Sequence, residues 1–357
     1  MKIIFHFGPP KTGTSAIQKW CSLNHEWLKN QGVYYPQHAV DVNGVSSGNL
    51  RKVFEGEKGS FHFSKALYES EVARARKADC HTLLFSSEFF FKNIEMIADT
   101  VPEATFIGYI RFGLEILQSS YNQAVKRHGK TTKFSPNSGS NSTLNTLSIK
   151  IQAVGESRFI LRPYSTAIFK NNSLIADFLE ALHIDNAHVN TTVGNVNSSY
   201  SLESIEVKRW FNQLESEALQ VQLDLALQSY GKREKISLFS DDKFEAFKSM
   251  YLNQLKRFLN AHTVAKSEEF YAECRTLQNL PSREQELSLS QFEKILRTLV
   301  RQKKISLLTL YKTYQIALER KEQLEQPERV AVLKKILPIW VVIVEKLRRR
   351  CFSSNEV

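Results

Sequence analysis

Hydrophobic positions in the first half of the chain follow two periods. Short β-rich runs at Lys2 to Phe7, Thr82 to Ser86, Thr105 to Ile110 and Arg158 to Leu161, with a weaker fifth at Gly32 to Tyr35, are separated by longer stretches of helical spacing. A parallel sheet with crossover helices requires that alternation. After the first run, Ile17, Trp20, Cys21 and Leu28 fall on one helical face, and Gly32 stands where a C-terminal cap belongs. After the third, Leu114, Leu117, Tyr121 and Val125 predict a helix from Gly113 to His128 with its apolar face on the sheet.

Beyond Ser199 the pattern changes. Apolar residues continue at helical spacing among many Lys, Glu, Gln and Arg, no strand pattern stands out, and Pro281, Pro327 and Pro338 mark breaks between helices or kinks within them. The expectation is an α/β core over residues 1–200, a parallel sheet flanked by helices, followed by an all-helical extension over 201–357. A chain of 357 residues suits two such modules.

Composition narrows the class. No run of about 18 apolar residues is available to cross a bilayer. The opening Met1 to Phe7 is too short an apolar stretch, with no small-residue cleavage site, for a signal peptide, so it reads as a first strand and predicts a cytoplasmic location. Cys21, Cys80, Cys274 and Cys351 lie far apart without metal-ligand spacing, which predicts free, mostly buried thiols. A formal net charge of +11 implies an anionic partner without choosing one.

The first strand runs into Gly8-Pro9-Pro10-Lys11-Thr12-Gly13-Thr14-Ser15 and then a helix. A helix start offers unpaired N–H groups and a partial positive charge to an anion, and Gly13 permits close backbone approach. An ATP- or GTP-binding loop carries lysine directly after its second glycine, where this chain has Thr14; here the lysine stands earlier, at Lys11. Pro10 to Ser15 resembles the 5′-phosphosulfate loop of the sulfotransferase family that uses 3′-phosphoadenosine-5′-phosphosulfate (PAPS). Arg111, ending the third strand, and Ser119, on the following helix, resemble that family's 3′-phosphate clamp, although Phe112-Gly113-Leu114 replaces the more polar turn of many relatives. Tyr164, in Leu161-Arg162-Pro163-Tyr164, is similar to a position that stacks near adenine, and Asn197-Ser198 resembles another feature near the nucleotide.

The resemblance covers Met1 to Trp210. It implies a P-loop-like sulfotransferase fold, PAPS bound by Lys11, Thr12, Gly13, Thr14, Ser15, Arg111, Ser119 and Tyr164, no metal, and a hydroxyl acceptor on a glycan or glycolipid. Lys11 then serves the leaving group. Glu88, at the end of the second long strand, is the first choice of general base, because parallel sheets place ligands at the C-terminal ends of their strands and Phe89-Phe90-Phe91 restricts water. His25, His38, His62 and His128 are rivals, while His6, inside the first strand, reads as a core histidine. The Ser-, Asn- and Gly-containing stretch Phe134 to Thr146 predicts a mobile loop able to close over the acceptor.

Two other function classes compete: a divergent P-loop kinase, and a non-catalytic basic protein binding nucleic acid, for which no recognisable motif is present. Val330 to Val344, with Lys334 and Lys335 and followed by Lys346-Leu347-Arg348-Arg349-Arg350, fits either an anionic membrane surface or a terminal helix docking Ile339, Trp340 and Ile343 on the domain.

Overall fold

All five extended runs become strands of one sheet. In this computed structural model, which describes the chain apart from residues 10, 39–46, 58–59, 138–142, 186–188, 193–199, 232–233, 342 and 344–357, strands β1 (Lys2–Phe7), β2 (Val33–Tyr34), β5 (Thr82–Ser87), β6 (Ala104–Ile110) and β7 (Phe159–Pro163) run parallel in the order β2-β5-β1-β6-β7. Strands β3 (Phe54–Glu55) and β4 (His62–Phe63) pair antiparallel in a separate ribbon. Helices α1 (Thr14–Leu23), α2 (His25–Asn30), α3 (Lys65–Lys77), α4 (Ile94–Thr100), α5 (Gly113–Arg127), α6 (Thr143–Val154) and α7 (Leu174–Ala181) connect or follow the strands. The remainder is helical: α8 (Leu202–Phe211), α9 (Glu217–Gln228), α10 (Asp241–Ala261), α11 (Ser267–Thr276), α12 (Leu289–Arg301), α13 (Leu307–Glu319) and α14 (Arg329–Ile336). None of the described helices is long and apolar enough to cross a membrane.

Both faces of the sheet are covered, so the strands are apolar on both sides. On one face Ile4, Leu84, Ile107 and Tyr109 meet Ile17, Trp20 and Cys21 of α1 and Ile175, Phe178 and Leu179 of α7. On the other, an aromatic ladder crosses the strands, with ring centroids 5.0 Å apart for Phe5 and Phe85, 6.1 Å for Phe5 and Phe106, and 5.3 Å for Phe106 and Phe159. The free edge of β7 is shielded where Ala265 donates its N–H to the Leu161 carbonyl at 3.0 Å.

The chain forms two compact units, and the division is not one cut near residue 200. The first comprises Met1–Leu117, Pro136–Asn197 and Asp241–Gln278, so α10 and α11 return to the sheet-bearing unit. The second comprises Gln118–Ser135, Ser198–Ser240 and Asn279–Val357, with a core that includes Trp210, Phe211, Phe292, Leu296 and Leu333. The division falls inside α5, whose Tyr121 and Val125 belong to this helical core rather than to a sheet-facing layer. The 3.6 period identified the buried face of α5 but not its partner. The predicted loop Phe134 to Thr146 also shortens, because α6 already begins at Thr143; residues 138–142 lie outside the described part.

Cys21, Cys80 and Cys274 are buried free thiols. His6 is fully buried, with Nδ1 2.7 Å from the Ser86 hydroxyl and its ring against Phe178 at 5.0 Å. Burial pushes its pKa down to about 3, so the ring is neutral in the fold. The unfolded chain binds a proton there below about pH 6.5 and the folded chain does not. Stability from this group is therefore complete above pH 6.5 and declines as pH falls from there toward 3. Urea denaturation at pH 7 and pH 5 should show a fall that His6→Phe makes shallower, by up to about 1.4 kcal/mol per pH unit. An unchanged slope in that variant would remove His6 from the acid response.

Candidate functional site

Parallel register brings four strand ends to one edge. Phe7 stands opposite Ser87 on β5 and Gly108 on β6, and β6 pairs with β7 out to Ile110 and Pro163. The segments leaving those ends carry Lys11, Glu88, Arg111 and Tyr164. This is the edge at which parallel α/β sheets place their ligands.

The loop from β1 into α1 is tightly built. Thr12 is buried, and its hydroxyl donates to the Pro9 carbonyl at 2.7 Å. Lys11 and Gly13 both occupy left-handed backbone, at φ 69° and 77°. That conformation costs a side-chain-bearing residue about 1–2 kcal/mol and glycine almost nothing. Any Cβ on Gly13 would stand 2.4 Å from Leu174 and 2.9 Å from Tyr164, and one on Gly8 would stand 1.7 Å from the Thr14 hydroxyl. Both glycines are therefore fixed by close approach.

Gly13 caps α1 without a side-chain hydrogen bond, and its carbonyl accepts from Ala16 and Ile17. The amides of Thr14 and Ser15 begin the helix and stand ahead of that first turn of bonds. The Thr14 hydroxyl is buried without a partner, an unmet polar group beside a helix N-terminus. Ser15 is half-buried in the same first turn.

Arg111 joins this loop to β6. Its Nη1 donates to the Lys11 carbonyl at 3.0 Å, and the guanidinium lies 5.1 Å from the centre of the Tyr164 ring. Its Nε is buried without a hydrogen bond, with Glu115 Oε2 at 3.6 Å, beyond normal bonding distance. Burial pushes the Lys11 ammonium below its ordinary pKa; Glu88 opposes that shift and Arg111 adds to it. Two cations thus share a partly dry edge.

Glu88 follows β5 directly, and the Ser87 side chain accepts the Phe89 N–H at 3.2 Å in capping the turn that carries it. Surrounding protein raises its carboxyl above the usual value and Lys11 lowers it. Glu88 remains exposed, so water limits that rise. Of the three phenylalanines after it, Phe90 is buried against Phe5 and Phe54, Phe91 stacks on Phe7, and Phe89 is exposed. The predicted apolar wall is mainly core.

Tyr164 is half-buried between Arg111, Phe169 and Gly13, so one side of its ring already holds the guanidinium. Beside it opens a cavity of about 340 Å³ whose lining includes Arg111, Phe112, Glu115, Tyr164, Glu273 and Cys274. Phe112 is buried and meets Tyr251 of α10 edge-on, which explains the apolar turn after Arg111: it is a packing position. Ser119 is half-buried on the part of α5 that belongs to the second unit.

The rival histidines have other surroundings. His25 bonds the Ser22 carbonyl and pairs with Glu26, His38 bonds the Tyr35 hydroxyl, His62 lies by Glu55, and His128 is exposed beyond α5. Asn197 and Ser198 lie outside the described residues. Among the described residues no cluster of His, Cys, Asp or Glu is arranged to hold a metal.

Three supporting groups carried no signal in the linear pattern. Asn49 is buried where β2 stops pairing with β5; it accepts the Ser86 N–H at 2.7 Å and donates to the Pro36 carbonyl at 3.3 Å, fixing the end of β5 just before Glu88. Arg162 forks onto buried Asp177 at 2.6 and 2.8 Å and reaches Glu180 at 2.6 Å, while the Tyr109 hydroxyl donates to Asp177 at 2.9 Å. This network clamps β7 and β6 to α7 directly beneath Tyr164. Glu273, which accepts from Ser165 at 2.6 Å and keeps one buried oxygen without a partner, lies far along the chain from every motif.

Comparison of the chain with protein-family models, curated proteins and solved structures finds no match. Removing Asp177 leaves the Arg162 cation buried without its fork. Asp177→Ala is expected to lower unfolding free energy by about 3–5 kcal/mol in urea titration. A loss below about 1 kcal/mol would show that Glu180 and water replace it.

Proposed function

We propose that the chain transfers a sulfuryl group from PAPS to an acceptor hydroxyl, with the acceptor on a glycan or glycolipid, on a P-loop-like sulfotransferase fold. The observation that carries this reading is the hydrogen bond from Arg111 to the Lys11 carbonyl, which ties two motifs 100 residues apart to one edge. The residues present suit a doubly anionic nucleotide. The amides of Thr14 and Ser15 at the start of α1, the buried Thr14 hydroxyl without a hydrogen-bond partner, and the Arg111 Nε, held only by a 3.6 Å ion pair to Glu115, are donors an anion can use, and two adjacent cations favour the arrival of negative charge. The motif resemblance points the same way.

In this reading Lys11, Thr12, Gly13, Thr14 and Ser15 hold the 5′ end, Arg111 holds the 3′-phosphate, and Tyr164 borders the base. The bound donor supplies the sulfuryl group and a phosphate leaving group. The Lys11 ammonium stabilises charge that develops on the leaving oxygen, without a metal. Arg111 has a double duty, since it also holds the loop that presents Lys11. Glu88, next to Lys11, accepts the proton of the attacking hydroxyl. Its deprotonated form is the active one, so turnover rises as pH climbs through a pKa lying above the ordinary carboxylate value.

Isothermal titration with 3′-phosphoadenosine 5′-phosphate, against ATP with magnesium, tests the first half of the proposal. Metal-independent binding of the 3′-phosphorylated nucleotide is expected, with Arg111→Ala at least tenfold weaker, a loss of about 1.4 kcal/mol. Equal affinity in that variant rejects the clamp. Transfer of labelled sulfate to a panel of glycans tests the second half. Lys11→Ala should lose turnover more than affinity, and Glu88→Gln should keep affinity while losing about 10²- to 10⁴-fold in rate together with the acidic limb of the pH profile. Wild-type turnover in Glu88→Gln hands the base to another group.

A further inference from the structure

Away from the sheet edge described above, a serine, a histidine and a glutamate stand in the order that activates a hydroxyl. The Ser148 hydroxyl, half-buried in the middle of α6, lies 2.6 Å from Nε2 of His262, the residue that follows α10. On the other side of the ring, Nδ1 faces Oε2 of Glu156 at 3.8 Å. All three residues belong to the first unit. Glu156 precedes β7 at the end opposite to the one that leads into Tyr164, so the cluster is separate from the proposed nucleotide site.

Each group is held in place. His262 is 7% exposed, and its ring packs on Phe258 with centroids 4.7 Å apart. Glu156 is exposed, yet its Oε1 accepts the Thr263 N–H, and that bond holds the carboxyl below its ordinary pKa, so it stays ionised at neutral pH. A carboxylate beside Nδ1 favours the tautomer with the ring proton there, which leaves the Nε2 lone pair to accept from Ser148. A histidine that only tied α6 to α10 would satisfy both nitrogens, whereas Nδ1 is buried without a hydrogen bond and faces the carboxylate across a gap that can close as the ring gains charge. One turn before Ser148 on the same face of α6, Asn145 has its Oδ1 held by Gln254 at 3.4 Å, which leaves its amide nitrogen as a donor near the hydroxyl. Asn145 and Ile149 are exposed, so the approach suits a small substrate.

We propose that Ser148 is the nucleophile of a second reactive centre, an acyl-transfer site for small esters, with His262 as its base and Glu156 orienting that base. The serine oxygen bonds to the acyl carbon while its proton passes to Nε2 of His262. The bond from that carbon to the ester oxygen then breaks, and the departing alcohol takes the proton from His262. Water repeats the sequence on the acyl-serine, which releases the acid and restores the hydroxyl. The Asn145 amide donates to the oxyanion that forms between the two steps. The inference does not depend on the sulfuryl-transfer reading.

The test is reaction of the full chain with a fluorophosphonate, whose phosphorus bonds to an activated serine oxygen with loss of fluoride, and mapping of the modified residue by mass spectrometry. Hydrolysis of p-nitrophenyl acetate is followed alongside. Wild type should be modified at Ser148 and should release p-nitrophenol in a burst, and Ser148→Ala should lose both. His262→Gln should slow modification by about 10²- to 10⁴-fold. Glu156→Gln alters only an exposed side chain, so it should keep the wild-type circular dichroism and still slow modification at least about tenfold. No modification of Ser148, an unchanged rate in Glu156→Gln, or ester hydrolysis that survives Ser148→Ala overturns the proposal.

Discussion

A guanidinium at the end of one strand grips the carbonyl of a lysine at the end of its neighbour, and the form of the site follows from that contact. Arg111 cannot leave without releasing the left-handed Lys11 and the turn into α1 behind it. The arginine is itself fixed by the Tyr164 ring beneath it, and Tyr164 by the Ile110 carbonyl, which accepts its N–H at 2.6 Å. Backbone, cation and ring thus form one chain of constraints across β1, β6 and β7. Its cost is chiefly the burial of the Lys11 ammonium, which Glu88 partly offsets and to which the Arg111 charge adds. An arriving anion offsets that cost further. Preorganisation of this kind lets fixed charge act on a reacting group without reorganising at the moment of reaction.

The sheet can hold such a constraint because its interior leaves little room to adjust. A ladder of phenylalanines tiles one face, and the other packs aliphatic and aromatic side chains of α1 and α7 over the strands, with a neutral, buried His6 against Phe178. Close-packed interiors transmit displacement instead of absorbing it. The Arg162–Asp177 fork and Asn49 add polar rivets just behind the functional edge, where strand pairing runs out and backbone groups would otherwise lack partners.

The sequence made the strands legible because each is short, apolar and bounded by a change of period, and all five formed close to where the pattern put them. Lys11 and Arg111 stood out for another reason, the resemblance of the motifs around them to a known family's, and the structure brings the two together at one sheet edge. What escaped depends on contacts between distant segments. The partner of α5 was misjudged because a 3.6 period shows that a face is buried and not what buries it, and Tyr121 met a helical core instead of the sheet. The return of Asp241–Gln278 to the first unit, which delivers Glu273 and Cys274 to the cavity, had no local signal at all. Tyr164 was legible as an aromatic at a strand end, but not as the platform beneath Arg111.

That last point bears on how a nucleotide could be told from a bare phosphate at this edge. With one side of the Tyr164 ring against Arg111, a base entering the adjoining cavity meets the rest of the ring, Phe112 and the carboxylates of Glu115 and Glu273. The apolar rings offer area, while the Glu273 oxygen without a hydrogen-bond partner and the Arg111 Nε, weakly held by Glu115 at 3.6 Å, offer one acceptor and one donor. A ligand that leaves the Glu273 oxygen unmet forgoes about 1–3 kcal/mol there. On the nucleotide-binding reading proposed above, discrimination comes less from what the correct ligand gains than from what an incomplete one fails to satisfy.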